Sequence, residues 1–318
     1  MRAAVLAAPR ALRVETVKRP DPQPGEVRIR LEGCGVCASN IPTWTGMPWS
    51  QYPTEPGGLG HEGWGVIDAV GDEVAALTPG DRVAAVSYHA YAEFDLAPAR
   101  AVVKLPTALN KLAFPGEALG CAMNIFRRAQ VTAGETVAII GIGFLGSVLT
   151  RLIRQAGARV LAISRRTCSL DLATRMGADE VIPLDDHNKI ITRTKDLTNG
   201  RLCDCVIEAV GMQWPLDLAA ELVHERGRLV IAGYHQDGPR QVNMQLWNWK
   251  GLDVINAHER DLAEYTNGIR AAIDAVVTGV LDSTLLFTHR YPLDGLSAAL
   301  DATHERPDGF NKALLIYD

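Results

Sequence analysis

The sequence predicts an α/β protein in which a β-rich domain is joined to a doubly wound parallel sheet. Three features carry that reading. Residues 135–166 run as a buried apolar strand (137–140), a glycine turn (Gly141, Gly143, Gly146), an amphipathic helix to Gln155 and a second apolar strand (160–163), which is the order of a βαβ unit. Strands and helices go on alternating as far as residue 257, and crossovers of that kind imply parallel pairing. Before residue 106, by contrast, short β-type runs are separated by glycine- and proline-rich turns without a long helical pattern.

Taken in order, residues 2–6, 12–17 and 26–31 read as strands, with a proline-rich turn at 20–25, and further strands fall at 63–70, 81–87, 91–96 and 101–105. From Pro115 the character changes. After the first βαβ unit come a helix (168–176), a strand (179–183), a helix (190–198), a strand (204–208), a helix (214–223) and strands at 228–233 and 252–257. A long helix (261–280), a strand (285–291), a helix (293–304) and a strand (312–317) follow. We expect residues 1–120 with 261–318 to form one domain and 121–260 the other.

The chain's 318 residues are enough for two domains that each bury a core. Its 47% hydrophobic and 22% charged content is that of a soluble globular protein. A net charge of −5 without any basic run argues against nucleic acid or an anionic membrane as partner. No apolar stretch approaches the length of a membrane span, and the run after Met1 is too short for a signal peptide. The expectation is a cytoplasmic protein with a small-molecule substrate. In a reducing compartment the six cysteines are core residues or ligands rather than disulfides, and Cys168, Cys203 and Cys205 read as structural.

A helix N-terminus presents unpaired N–H groups and the positive end of a dipole, which suits a pyrophosphate. In the turn that includes Phe144 and Leu145, Gly141 permits the bend, Gly143 lets a phosphate approach and Gly146 lets helix and strand pack closely. Gly58, Gly60 and Gly63 repeat the spacing but follow a turn-rich segment instead of an apolar strand, so only the Gly141 turn reads as a dinucleotide site. The next strand ends in Ser164-Arg165-Arg166, with no carboxylate before Asp171. Arginine forks match a 2′-phosphate that a carboxylate would repel, which predicts NADP(H) over NAD(H).

Two segments of the β-rich part concentrate metal-ligand chemistry: Gly33-Cys34-Gly35-Val36-Cys37-Ala38-Ser39-Asn40 and Gly60-His61-Glu62-Gly63. Thiolate, imidazole and carboxylate are the donors of a tetrahedral zinc site. Together with Gly80-Asp81-Arg82-Val83, Glu117-Ala118-Leu119, the Gly141 turn, Glu208-Ala209-Val210-Gly211 and Arg306-Pro307-Asp308-Gly309-Phe310, they make the chain resemble, over nearly its whole length, the zinc-dependent medium-chain dehydrogenase/reductase family of alcohol and polyol dehydrogenases.

The resemblance implies a GroES-like catalytic domain beside a Rossmann domain. It implies Cys37 and His61 as zinc ligands, Glu62 as a glutamate that binds or swings toward the metal, and Glu117 as the third ligand. Cys121, four residues on, is a rival that would share a helical face with it. Cys34 falls next to the site without being a ligand. Ser39 takes the place of the hydroxyl that relays the alcohol's proton; as a turn serine it would instead cap a helix. Val210 and Gly211 fall among the cofactor-binding positions. Asn40 and Pro42 depart from the family's usual aspartate and histidine, and 82–89 run almost directly into 90–94, which leaves no room for a four-cysteine lobe. One catalytic zinc per chain is therefore expected.

Of the remaining histidines, His89 lies in the shortened lobe region near the edge of the β-rich domain and His258 ends the strand where the family lines its cofactor cleft, although a surface or core role suits each. Trp44, Trp49 and Trp64 are pocket walls or core residues, and Trp247 and Trp249 precede a strand that pairs across a homodimer in this family. The implied activity is zinc- and NADP(H)-dependent interconversion of a secondary alcohol or polyol and its carbonyl, with the substrate between the domains. A zinc-free reductase of activated double bonds and a cofactor-binding protein without turnover are the alternatives.

Overall fold

The computed structural model describes residues 1–317 and divides into two compact units, Met1–Cys121 together with the segment from Arg260 onward, and Ala122–Glu259. The elements, in chain order, are β1 (Arg2–Ala8), β2 (Ala11–Thr16), β3 (Glu26–Val36), α1 (Ile41–Thr45), β4 (Glu62–Val70), β5 (Arg82–Ala85), β6 (Phe94–Pro98), β7 (Val102–Lys104), α2 (Gly116–Ala129), β8 (Thr136–Ile140), α3 (Phe144–Gln155), β9 (Arg159–Ser164), α4 (Thr167–Met176), β10 (Glu180–Pro183), α5 (His187–Leu197), β11 (Cys203–Glu208), α6 (Gln213–Leu222), β12 (Val223–Ile231), α7 (Met244–Lys250), β13 (Asp253–Asn256), α8 (Leu262–Val277), β14 (Phe287–Tyr291), α9 (Leu296–Glu305) and β15 (Lys312–Ile316).

In the first unit the sheet order is β14-β15-β3-β4-β5-β7, with β6 also pairing β3 and β1-β2 forming a separate ribbon. The core is built from alternating inward residues of these strands, among them Val27, Ile29, Leu31, Ile67 and Val83, closed by Leu296, Ala299 and Leu300 of α9. β15 is therefore a neighbour of β3, in antiparallel register Leu315↔Cys34 and Leu314↔Gly35. That pairing brings the segment after Phe310 to the cysteine-bearing end of β3.

The second unit is a parallel sheet of order β10-β9-β8-β11-β12-β13. Its central strands β8, β9 and β11 are largely buried on both faces, as helices packed on each side require. Val137 and Ile139 of β8 join one core with Leu149 and Ile153 of α3 and Ile125 and Ala129 of α2. Ala138 and Ile140 join the other with Ile190 of α5 and Leu216 and Ala219 of α6. The strand order reverses between β8 and β11, which is the switch point where such sheets receive a ligand at their carboxyl edge.

The structure alters some expected elements. A helix, α7, covers 244–250, where only two tryptophans had been noted. Its cap signals are present, since the Asn243 side chain accepts from the Leu246 amide at 3.0 Å and Gly251 closes the helix at φ 59°. β12 begins at Val223 rather than 228, because a register shift absorbs 224–227 and lets Val223 pair with Cys203. Asp261 stands outside α8 as its N-cap, and that helix stops at Val277.

Candidate active site

Three of the residues expected to bind metal, Cys37, His61 and Glu62, gather where β3, β4 and β15 meet. β3 ends at Val36, so Cys37 follows at the head of a single 3-10 turn, Ala38–Asn40. β4 starts at Glu62, whose partner across the ladder is Gly35. A side chain at 35 would collide with the Glu62 carboxylate, so this glycine makes room for it. One ligand atom from each of Cys37, His61 and Glu62 lies within 4.8 Å of the other two.

The side chains around the triad settle its electrostatics. His61 Nδ1 donates to the Leu59 carbonyl at 2.8 Å, which leaves the other ring nitrogen for a ligand. The buried Asn40 amide donates to that same carbonyl at 3.1 Å and to the Tyr91 hydroxyl at 2.6 Å. Burial pulls the His61 pKa down, but the Cys37 sulfur and then Glu117 and Glu62 push harder the other way and lift it to about 10. Without a metal, a proton thus occupies a site whose neighbours call for positive charge. Glu62 is buried; its Oε1 takes the Lys312 ammonium at 2.6 Å, while Oε2 has no partner among the described residues. A buried carboxylate with one oxygen unpartnered, grouped with sulfur and imidazole donors, fits a zinc-type cation.

Glu117, expected as the third ligand, lies outside that 4.8 Å set, which takes in Glu62 instead. It is buried near the first turn of α2 and accepts the Cys121 thiol at 3.2 Å. Burial raises its carboxyl pKa, with His61 acting against the shift. Ser39 sits in the 3-10 turn two residues from Cys37, its hydroxyl 3.5 Å from Asn40 Oδ1; no side chain caps the helix that follows. Cys34 is fully buried in the core, where burial holds its thiol pKa well up. Trp44 is core too, with its indole N–H on Asp301 at 2.8 Å, and Trp64 is 2% exposed. Trp49 is exposed. His89 is exposed, and His258 Nε2 lies 3.1 Å from the Gly233 carbonyl. Cys203 and Cys205 are buried in β11, with burial raising their thiol pKa values to about 12.

At the carboxyl edge of the second unit, Gly141 has φ 99° and a Cβ there would press on Val210. At Gly146 a Cβ would strike the Gly141 carbonyl. Nothing lies within 4 Å of a Cβ placed on Gly143, which is the N-cap of α3 and carries no capping side chain. The result is an open cradle of helix amides, as a pyrophosphate requires. Ser164 closes β9 and is buried, Arg165 is exposed, and Arg166 is the N-cap of α4. The Val210 and Gly211 amides are used internally, both donating to Glu208 Oε1 at 2.7 Å.

Comparison with known proteins agrees with this architecture. Residues 23–107 match the alcohol dehydrogenase GroES-like domain model, and 145–278 match the zinc-binding dehydrogenase model. The chain belongs to the zinc-type medium-chain dehydrogenase/reductase family, with an alcohol- and polyol-dehydrogenase-like sequence, and is an oxidoreductase. Among its relatives, an erythritol/L-threitol dehydrogenase of Mycolicibacterium smegmatis is 29% identical over 95% of this chain and 93% of that protein. A sorbitol dehydrogenase of Gallus gallus is 26% identical over 92% and 90%. The alcohol dehydrogenase of Thermus sp. ATN1 superposes with a TM-score of 0.86 at 26% identity, covering 100% of both chains.

One site residue escaped sequence reasoning. Lys312 lies outside every motif, and the signal available was a lone lysine opening an otherwise apolar strand, where an unpaired charge is not tolerated.

Proposed function

We propose that this protein is a zinc- and NADP(H)-dependent dehydrogenase that interconverts a secondary alcohol or polyol and its carbonyl. The observation that carries the proposal is the convergence of Cys37, His61 and Glu62, together with the buried Glu62 carboxylate having one oxygen without a partner among the described residues. These three residues would hold the metal, with Glu117 as a further carboxylate beside them. When bound, zinc supplies Lewis acidity to the substrate oxygen and the nicotinamide supplies hydride exchange. The chain's own part is binding, orientation and proton handling. The Leu59 carbonyl, steadied by Asn40, fixes the His61 ring. Ser39 takes the alcohol's proton at its Oγ and passes it outward, and Lys312 holds the Glu62 carboxylate in its buried position.

Arg165 and Arg166, at the end of β9, support the choice of NADP(H). The exposed Trp249, Met244 and Val254, beside the sheet edge formed by β13, support a homodimer. No helix among the described residues is long and apolar enough to cross a membrane. The erythritol/L-threitol and sorbitol dehydrogenase relatives favour a polyol substrate.

The test is a screen of alcohols, polyols and ketones with both cofactors, following nicotinamide absorbance, run beside a zinc assay. The proposal expects about one zinc per chain, loss of activity on chelation and a higher kcat/KM with NADP(H). Zinc below about half an equivalent with activity that survives chelation would select the zinc-free reductase reading.

A further inference from the structure

A second polar cluster lies at the carboxyl edge of the parallel sheet, within the second unit. Glu208, the last residue of β11, is fully buried. Its Oε1 accepts the Val210 and Gly211 amides, and its Oε2 lies 3.0 Å from His235 Nε2. His235 Nδ1 in turn receives Arg240 Nε at 2.9 Å. Arginine offers donors only, so Nδ1 must accept and Nε2 must carry the proton that points at Glu208. The same guanidinium donates to the Gly211 carbonyl at 2.8 Å and pairs with Asp237. The Gly211 residue, at φ 84°, is therefore held at both ends, its N–H by Glu208 and its C=O by Arg240.

The position of this ring gives it a use. β11 and β12 lie on the far side of the switch point from β9. A dinucleotide crosses a doubly wound sheet at that point with its pyrophosphate on the glycine turn. If the adenosine half lies toward Ser164–Arg166, the nicotinamide half falls toward the segments that follow β11 and β12. Those segments are the two that the ring ties together. The backbone amides of Tyr234 and His235, held in place by it, donate to no group among the described residues.

We propose that Arg240, acting through His235 and Glu208, is a positioning residue that pre-forms the 209–211 and 233–235 segments as the receptor for the nicotinamide half of the cofactor. Without the guanidinium, Gly211 loses its second anchor and His235 loses its fixed tautomer. The loop then has to be ordered at the moment of binding, at the expense of affinity. The proposal rests on the Gly141 turn holding the pyrophosphate.

Binding should be measured by fluorescence titration with whichever of NADPH and NADH the native protein holds more tightly, and with the matching adenylate half, 2′-phospho-ADP-ribose or ADP-ribose. Arg240→Ala should raise Kd for the whole cofactor about tenfold and leave Kd for the adenylate half within about twofold, with Arg240→Lys between the two. KM for the cofactor should rise more than kcat falls. Thermal unfolding run in parallel identifies a merely structural role, which would lower Tm without separating the two ligands. Equal Kd values for native protein and Arg240→Ala, or equal weakening of both ligands, overturns the proposal. Failure of the native protein to bind either ligand would instead overturn the dinucleotide reading on which it rests.

Discussion

Replacing Lys312 by methionine keeps the length of the side chain and removes its charge. The ammonium and the Glu62 carboxylate are 2.6 Å apart, with side chains 7% and 1% exposed. At that distance, in an effective dielectric of about 20, the attraction is about 6 kcal/mol, and the desolvation of both groups opposes it. Deleting one partner of a buried pair typically costs about 3–5 kcal/mol, because the other charge stays behind without compensation. For a folded unit of roughly 150–250 residues, that corresponds to a fall in Tm of about 6–20 °C. The reasoning makes a second, sharper demand. A dication bound by Cys37, His61 and Glu62 acts on the same carboxylate, so it should restore part of the loss. Thermal unfolding of native protein and Lys312→Met, each after chelation and again with one equivalent of zinc, checks both points. The difference between the two proteins should be smaller with zinc than without it. A variant within about 1 kcal/mol of native in the metal-free state, or one whose deficit zinc does not reduce, would refute the account of Lys312 as the counter-charge to Glu62.

Other predictions follow from the same geometry. Gly146→Ala forces a Cβ against the Gly141 carbonyl and should cost about 1–3 kcal/mol of stability while abolishing dinucleotide binding, as read by Tm and fluorescence titration. The His61 pKa is raised from 6.5 to about 10, so in the metal-free protein its stabilising contribution is complete below about pH 6.5 and is lost as pH rises through about 10. Metal-free native protein should therefore lose Tm across that window relative to His61→Ala. Since zinc must displace that proton, its affinity should rise about tenfold per pH unit over the same range, measured by competition with a chromophoric chelator. Replacing Arg165 and Arg166 together by alanine should reduce the ratio of kcat/KM for NADPH over NADH by about 10–150-fold, the value of charge-assisted bonds to a phosphate. An unchanged ratio removes the arginines from cofactor selection.

Much of the fold was legible because its signals are local. The alternation Val137, Ala138, Ile139, Ile140 before three spaced glycines specifies a buried strand and a phosphate turn without reference to the rest of the chain. Cys37, His61 and Glu62 were identifiable by their chemistry and by resemblance, and the β3–β4 register then shows why they meet. What stayed hidden depends on pairing between distant segments. Nothing near Lys312 points to Glu62 until β15 is seen beside β3. Trp44 had even claims as pocket wall and core until Asp301 of α9 proved to hold its indole. Glu117 was identified by resemblance, and only the structure shows that one of its carboxylate oxygens accepts the Cys121 thiol while the group still acts electrostatically on His61. The helix at 244–250 had its caps in plain view, but its weak apolar pattern gave no periodic face to notice.

The placement of β15 also has a consequence for how the protein is made. Glu62 and Lys312 are 250 residues apart in the chain. During synthesis, β3 and β4 leave the ribosome long before the strand that supplies their counter-charge, and all of Ala122–Glu259 emerges in between. The parallel sheet can therefore complete its own core while the earlier segment still waits for its last strands. Over that interval Cys37 and Glu62 would lack the buried ammonium, so on the proposed reading zinc delivered early would meet a looser, more negative set of donors than the finished protein presents.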